Sequence, residues 1–328
     1  MASYKAHILN DFNVEKFDPP VVIPFVDFAI PGAGEFRRTA DIIPTYKFDP
    51  LKLDNPANYL VSIGVKFKDF GVSWTDTDSV WLNVVLTFDD PSYEPYYVQK
   101  LYEVPTIIDV LQLNMMTLMT IPHKSSIQAT IAQESSSVQF IEPDYNTYFN
   151  VSKQVGSAYK VTLSESYSPD PGIYSPIKFD TMVISSSGSR DVNGEFNTDT
   201  YAFYPKKSLV HGKFLTSYSY LVMCNIMFSE LQPFAIGDEI GLRFRAWDPV
   251  TKEYITVAEK LWKLSYEILR KLSMSLETIV TLPYGSHLVA EVFYSTGIPD
   301  HDLVVLKEAN MDKESTNFTV VSLESSVY

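Results

Sequence analysis

The chain carries an internal repeat at an offset of about 160 residues, and that self-similarity constrains its fold more than any other feature. Gly34-Glu35-Phe36 answers to Gly194-Glu195-Phe196, and Tyr59-Leu60-Val61 to Tyr220-Leu221-Val222. Asp78-Ser79-Val80-Trp81-Leu82 answers to Asp238-Glu239-Ile240-Gly241-Leu242. Thr120-Ile121-Pro122, followed by Ser125, Ile127, Ala129 and Ile131, answers to Thr281-Leu282-Pro283, followed by Ser286, Leu288, Ala290 and Val292. Two copies of one domain are expected, each able to bury its own core in a chain of 328 residues.

Within each copy, apolar residues recur at every second position, the period of a strand with one buried face. Val61, Ile63, Val65 and Phe67 alternate with Ser62, Gly64, Lys66 and Lys68, and Ile240, Leu242, Phe244 and Ala246 with Gly241, Arg243 and Arg245. Val80 to Phe88 is a denser apolar run, as in a strand buried on both sides. Turn residues punctuate these runs at Asp89-Asp90-Pro91, Pro122-His123-Lys124, Trp247-Asp248-Pro249, Pro283-Tyr284-Gly285 and Gly297-Ile298-Pro299. Residues 259–277 alternate well enough to read as strand, whereas 105–116 fits a short helix or a strand equally. Many short strands, closely punctuated by turns, predict an all-β fold of two sandwiches. Ser164 to Ser175 is rich in Ser and Pro and has no periodicity, which places the expected boundary between a first domain, 1–164, and a second, 165–328.

Charge and cysteine usage narrow the function. A net charge of −14 argues against direct nucleic-acid binding, which needs Lys and Arg in excess. The single cysteine, Cys224, excludes an intrachain disulfide and sits in an apolar run, as a small buried hydrophobe would. No N-terminal apolar segment suits a secretory signal, and no apolar run reaches the ~18 residues of a membrane helix, so a soluble chain made in a cytoplasm is expected.

The second copy presents its signals in a suggestive order. Ile177-Lys178-Phe179 leads to Asn193-Gly194-Glu195-Phe196-Asn197, then Phe203-Tyr204-Pro205, a Tyr-Leu-Val strand at 220–222, the Gly237-Asp238 turn, Thr281 to Ser286, and a closing Asn317-Phe318-Thr319-Val320-Val321. This resembles the ten-stranded jelly roll of tumour-necrosis-factor ligands and complement globular heads, with a fainter version in the first copy ending near Tyr148-Phe149-Asn150-Val151. The Gly-x-Tyr element usual in that family is replaced by residues 209–219. Two jelly rolls in one chain are also similar to double jelly-roll viral capsid proteins. That resemblance implies homotrimers, packed through aromatic strand faces, that meet lattice neighbours or other virion proteins. It implies residence in a virion, with an internal membrane or a host receptor as further contacts.

Candidate site residues are few. Asp76, Thr77, Asp78, Asp89, Asp90 and Glu94 offer oxygens for Ca²⁺, but the spacing of a calcium loop is missing and solvated turns are the simpler reading. His7, His123, His211, His287 and His301 are too scattered to form a sequence-local zinc motif. No nucleophile elbow occurs, so no residue is assigned as catalytic, cofactor-binding or metal-ligating, and no enzyme activity or cofactor is expected. The sequons at Asn150 and Asn317 fall in expected strands. The Tyr-rich segment 91–97 suits a packing loop between subunits or a protein or glycan contact. The reading is a virion structural protein that trimerises and assembles a shell, the alternative a trimeric receptor- or glycan-binding spike head.

Overall fold

A computed structural model of the chain describes residues 3–7, 12–14, 21–23, 25, 27–30, 36–38, 46–48, 57–67, 79–103, 112–122, 124–134, 139–143, 146–154, 158–184, 195–205, 208–210, 213–215, 217–230, 235–264, 271–297, 303–308 and 312–323. The described residues are all β and form no helix, so none of them makes a helix long and apolar enough to cross a membrane. The chain divides into two compact units, residues 1–154 with 310–313, and residues 155–309 with 314–328.

Ten strands frame the first unit: β1 (Ser3–His7), β2 (Asp27–Ile30), β3 (Phe36–Arg38), β4 (Tyr46–Phe48), β5 (Ala57–Lys66), β6 (Ser79–Phe88), β7 (Tyr96–Glu103), β8 (Gln112–Ile121), β9 (Ser125–Glu134) and β10 (Tyr148–Lys153). Ten frame the second: β11 (Ala158–Thr162), β12 (Thr181–Ile184), β13 (Glu195–Asn197), β14 (Ala202–Tyr204), β15 (Ser217–Glu230), β16 (Glu239–Asp248), β17 (Glu253–Lys263), β18 (Lys271–Pro283), β19 (Leu288–Ser295) and β20 (Asn317–Ser322). The first unit builds one sheet in the order β8-β5-β10-β1-β2 and another in the order β3-β4-β9-β6-β7. The second unit builds β18-β15-β20-β11-β12 and β13-β14-β19-β16-β17, the same two orders strand for strand. Every pairing in these sheets is antiparallel, and strands distant in sequence lie side by side, as a jelly-roll sandwich requires.

The registers correspond as well. Tyr59 pairs with Met119 and Tyr220 with Val280, which is one pair moved along the chain by a repeat. Leu82 opposite Ile131 recurs as Leu242 opposite Val292. Alternation fixes these registers, because a one-residue slip would turn every inward side chain to the outer face. In the first unit, Val61, Ile63 and Val65 of β5 pack with Val80, Leu82 and Val84 of β6 and Ile127 and Ile131 of β9. In the second, Val222, Cys224 and Ile226 of β15 pack with Leu242 and Phe244 of β16 and Leu288 and Val292 of β19. Phe318 of β20 centres that core, 5.7 Å from Phe179, 5.9 Å from Phe196 and 5.8 Å from Phe244 between ring centroids. Burying each such side chain contributes roughly 1.5–3 kcal/mol, so the two interiors dominate the stability of their units.

The division between units falls after Gln154 and not at 164/165. The β11 strand pairs with β20 and β12 and sends Tyr159 and Val161 into the second core. The Ser/Pro-rich stretch after it is pinned to the same unit: Ser164 donates from its N–H to Asp180 at 2.6 Å, and Gly172 donates to the Tyr294 carbonyl at 2.7 Å. Its composition therefore marks a loss of periodicity and not a free tether. Residues 259–263 belong to β17, 271–277 to β18 and 112–116 to β8, while 265–270 and 105–111 lie outside the described residues.

The turn that carries the chain from β8 to β9 recurs between β18 and β19. Ser125 Oγ donates to the Pro122 carbonyl at 2.6 Å, and Ser286 Oγ to the Pro283 carbonyl, also at 2.6 Å. Both turns need a left-handed residue just before the serine. The second places Gly285 there, at φ 89°, but the first places Lys124, at φ 59°, where a side chain crowds the backbone. Lys124→Gly is expected to stabilise the first unit by up to about 1 kcal/mol after the entropy of a freer unfolded chain is offset. Thermal unfolding should show a rise of about 2–4 °C. Gly285→Ala should lower stability instead.

Candidate functional site

Outward-facing residues of the sheet β13-β14-β19-β16-β17 form a polar and aromatic constellation. The alternation that sends Leu242, Phe244 and Ala246 inward leaves Gly241, Arg243, Arg245 and Trp247 on the outer face of β16. Across from them stand Glu291 and Phe293 of β19, with His287 just before that strand, and Tyr254, Glu259 and Leu261 of β17.

A charged row crosses three strands at Glu291, Arg243 and Glu259. Arg243 Nε donates to Glu291 Oε2 at 2.6 Å, and an Arg245 guanidinium nitrogen lies 3.8 Å from the other oxygen. Tyr174 roofs the row: its ring stacks on the Arg243 guanidinium at 3.7 Å, and its hydroxyl donates to Glu259 Oε1 at 2.6 Å. Burial first, and then the bond to the Glu259 carboxylate, raise the Tyr174 phenol well above its ordinary value, so it stays a donor. The roof sits low because Gly241 has no side chain beneath it; a Cβ there would meet the Tyr174 hydroxyl at 2.5 Å.

A second row is aromatic and runs Tyr204 of β14, His287 just before β19, Trp247 of β16 and Tyr254 of β17. His287 is stacked between Tyr204 at 5.1 Å and Trp247 at 5.8 Å, and Tyr254 meets it edge-on with its hydroxyl 2.5 Å from Nε2. Arg245 lies 4.9 Å from the Tyr254 ring centroid and donates to the Tyr254 carbonyl at 3.2 Å. Partial burial lowers the His287 imidazole below its ordinary value. This face offers guanidinium edges and aromatic surface in a preset arrangement, suited to recognition or packing more than to covalent chemistry.

The first unit has the same row with different chemistry. The positions equivalent to Glu291, Arg243 and Glu259 are Thr130, Asn83 and Gln99. Asn83 donates to Thr130 Oγ1 at 3.1 Å, and Gln99 donates to Asn83 Oδ1 at 2.8 Å. All three are buried, with Asn83 at 0% exposure. Neutral amides that satisfy one another tolerate full burial, whereas charges do so only at a large desolvation cost. The segment 310–313 belongs to this unit, and the Asp312 carboxylate accepts the Gln99 backbone N–H at 2.9 Å.

The residues singled out in the sequence are placed as follows. Asp89, Asp90 and Glu94 are exposed, and the Asp90 carboxyl, held low first by the N–H of Ser92, closes a turn. Asp76, Thr77 and Asp78 lie outside the described residues, among which no group of three or more metal-ligating side chains occurs. His123, His211 and His301 also lie outside them, as does the side chain of His7. Cys224 is fully buried, and desolvation pushes its thiol up. Asn317 is buried in β20, and the half-buried Asn150 donates to Ser62 Oγ at 3.4 Å. Tyr93 is 63% exposed on the loop after β6, with its ring 5.5 Å from Phe88. Sequence reading missed the outer face of β16 because Arg243, Arg245 and Trp247 look there like ordinary solvent-side residues. Only their pairing with Tyr174 and His287 sets them apart.

No family model and no curated protein matches the chain. Two solved structures are similar to it over half its length. One is Eiger TNF from S. frugiperda, at 12% identity and TM-score 0.37, covering 52% of this chain and 94% of that one. The other is the globular domain of the zebrafish complement 1qA protein, at 14% identity and TM-score 0.30, covering 52% and 98%.

Gly241→Ala is expected to lift Tyr174 from Arg243 and cost about 1–3 kcal/mol in equilibrium unfolding. In the Tyr174→Ala background the same change should cost much less, a coupling that a double-mutant cycle measures. The lowered His287 also has a pH signature. The unfolded chain binds a proton near the ordinary value of 6.5 while the folded unit does not, so stability held above that pH declines below it. His287→Phe keeps a ring between Tyr204 and Trp247 and should flatten the fall of melting temperature from about pH 6.5 to 5 relative to wild type.

Proposed function

We propose that the chain is a virion structural protein, a double jelly roll that forms homotrimers and assembles a viral shell or decorates its surface. The observation that carries this reading is the repetition, within one chain, of two sandwiches with the same strand order and register. A trimer of such chains contains six similar blocks, the number that a pseudo-hexagonal tile needs. The charge of −14 favours a partner that is protein or an internal membrane layer over packaged nucleic acid. Strands are suited to the role because the sandwich interior, with its many interleaved side chains, makes each block stiff.

A second reading is a trimeric spike or fibre head that binds a receptor or glycan. It draws on the aromatic row with its neighbouring Arg245, since partly exposed aromatic and Arg side chains are the residues that most often anchor recognition.

Sedimentation velocity on the purified chain should give a species of three times the chain mass, and negative-stain images should show tiles or cages as concentration rises. Particles at single-chain mass over the whole accessible range would sink both readings. Trimers that never associate laterally but bind a glycan array, and lose that binding in Trp247→Ala, would favour the spike head.

A further inference from the structure

In the first unit β7 and β8 are end strands of the two sheets, in the second β17 and β18, and a lysine spans each pair of ends. Lys100 of β7 lies opposite Leu82, and its neighbours on that face, Val98 and Tyr102, pack on the first core. Lys260 of β17 lies opposite Leu242, and its neighbours on that face, Ala258 and Trp262, pack on the second core. Both lysines thus point into a sandwich, at positions where alternation calls for an apolar side chain. Each ammonium crosses to the end strand of the other sheet: Lys100 Nζ donates to the Asn114 carbonyl at 3.1 Å, and Lys260 Nζ to the Ser275 carbonyl at 3.5 Å. A ring supports each nitrogen, with the Tyr102 centroid at 5.0 Å and the Trp262 centroid at 4.2 Å, and the Tyr102 hydroxyl donates to the same Asn114 carbonyl. Asn114 lies opposite Gly64 and Ser275 opposite Asn225, equivalent places in the two units, so the arrangement occurs twice at one position of the fold. Desolvation lowers the half-buried Lys260 ammonium below its ordinary value, against the pull of Glu277.

We propose that Lys100 and Lys260 are edge guards, ammonium groups that close one side of each sandwich and keep strands of other copies from adding to β7, β8, β17 and β18. An end strand turns alternate N–H and C=O groups outward and so offers a template to any extended segment. The hazard is real here, because β8 has 10 residues, β17 has 11 and β18 has 13. Ile255 and Leu261 on β17 are 49% and 50% exposed, and Ile279 on β18 is 65% exposed. An inward-pointing lysine opposes strand addition in two ways. It occupies a carbonyl that an incoming N–H would need, and pairing over it would strip water from a charge. Packing alone does not account for it, since an apolar side chain of similar volume fills such a place at least as well. In the second unit a bulge between Phe244 and Arg245 also interrupts the β16–β17 ladder, whereas the β6–β7 ladder runs straight, so Lys100 carries more of the protection than Lys260. The guard is compatible with a shell tile and with a spike head alike, since both must meet neighbours by chosen surfaces and not by open strands.

The test compares the full chain with Lys100→Met, Lys260→Met, the double Met variant and the matching Arg variants. Sedimentation velocity over a concentration series reads association, and urea unfolding followed by circular dichroism reads stability. Methionine follows the same path as lysine without the charge, so the Met variants should unfold at an unchanged or higher urea midpoint. They should nevertheless associate at roughly tenfold lower concentration than wild type, Lys100→Met more readily than Lys260→Met. The Arg variants should behave as wild type. Hydrogen exchange read by mass spectrometry should then show amides of β7 and β8 newly protected in the associated Lys100→Met species. Association of the double Met variant no stronger than that of wild type would overturn the assignment. So would Met variants that lose stability and aggregate only as they unfold, which would make the lysines packing elements, or new protection confined to other strands. Each comparison is made against wild type in whatever state it adopts, so failure of the trimer reading and failure of the guard are separate results.

Discussion

The central antiparallel pair of each unit, β5 with β8 and β15 with β18, is the constraint on which the rest of the structure depends. It brings together strands separated by two others in sequence, and its register sets which residues face the interior. Once Tyr59 lies opposite Met119, Val61, Ile63 and Val65 must all face the first core; once Tyr220 lies opposite Val280, Val222, Cys224 and Ile226 must face the second. Closing such a distant pairing costs loop entropy that only the buried apolar face offsets. The turns between β8 and β9 and between β18 and β19, each closed by a serine hydroxyl on a proline carbonyl, then hand the chain to the opposite sheet.

With the inward faces committed to packing, the two units diverge on their outward faces. The row Thr130–Asn83–Gln99 and the row Glu291–Arg243–Glu259 occupy the same backbone positions, yet one is neutral and buried and the other charged and partly open. The difference follows from dielectric environment. A guanidinium between two carboxylates is stable where water still reaches it, and amides that bond one another are stable where it does not. Tyr174 adds a roof to the charged row, and it fits only because Gly241 leaves room.

The outward apolar pair Leu60–Leu118, which recurs as Leu221–Ile279, diverges as well, with Leu118 covered and Ile279 left open.

Much of this was legible in the sequence. Alternation at Val61, Ile63 and Val65 and at Ile240, Leu242 and Phe244 named strands and their inward faces, because the period of side-chain direction is a local property of extended backbone. The matched Thr-Ile-Pro and Thr-Leu-Pro segments named the repeat and located its turns. The place where one unit ends was not legible, since Ser164 to Ser175 looks like a linker but is held by Asp180 and Tyr294, partners supplied from elsewhere in the fold. Nor was the grouping of Tyr174, Arg243, Glu259 and Glu291, which only sheet order brings together. Sequence by itself determined which side of each strand is apolar. Tertiary structure alone decided which outward residues are covered and which stay open, because burial depends on distant chain segments and leaves no mark in the local pattern.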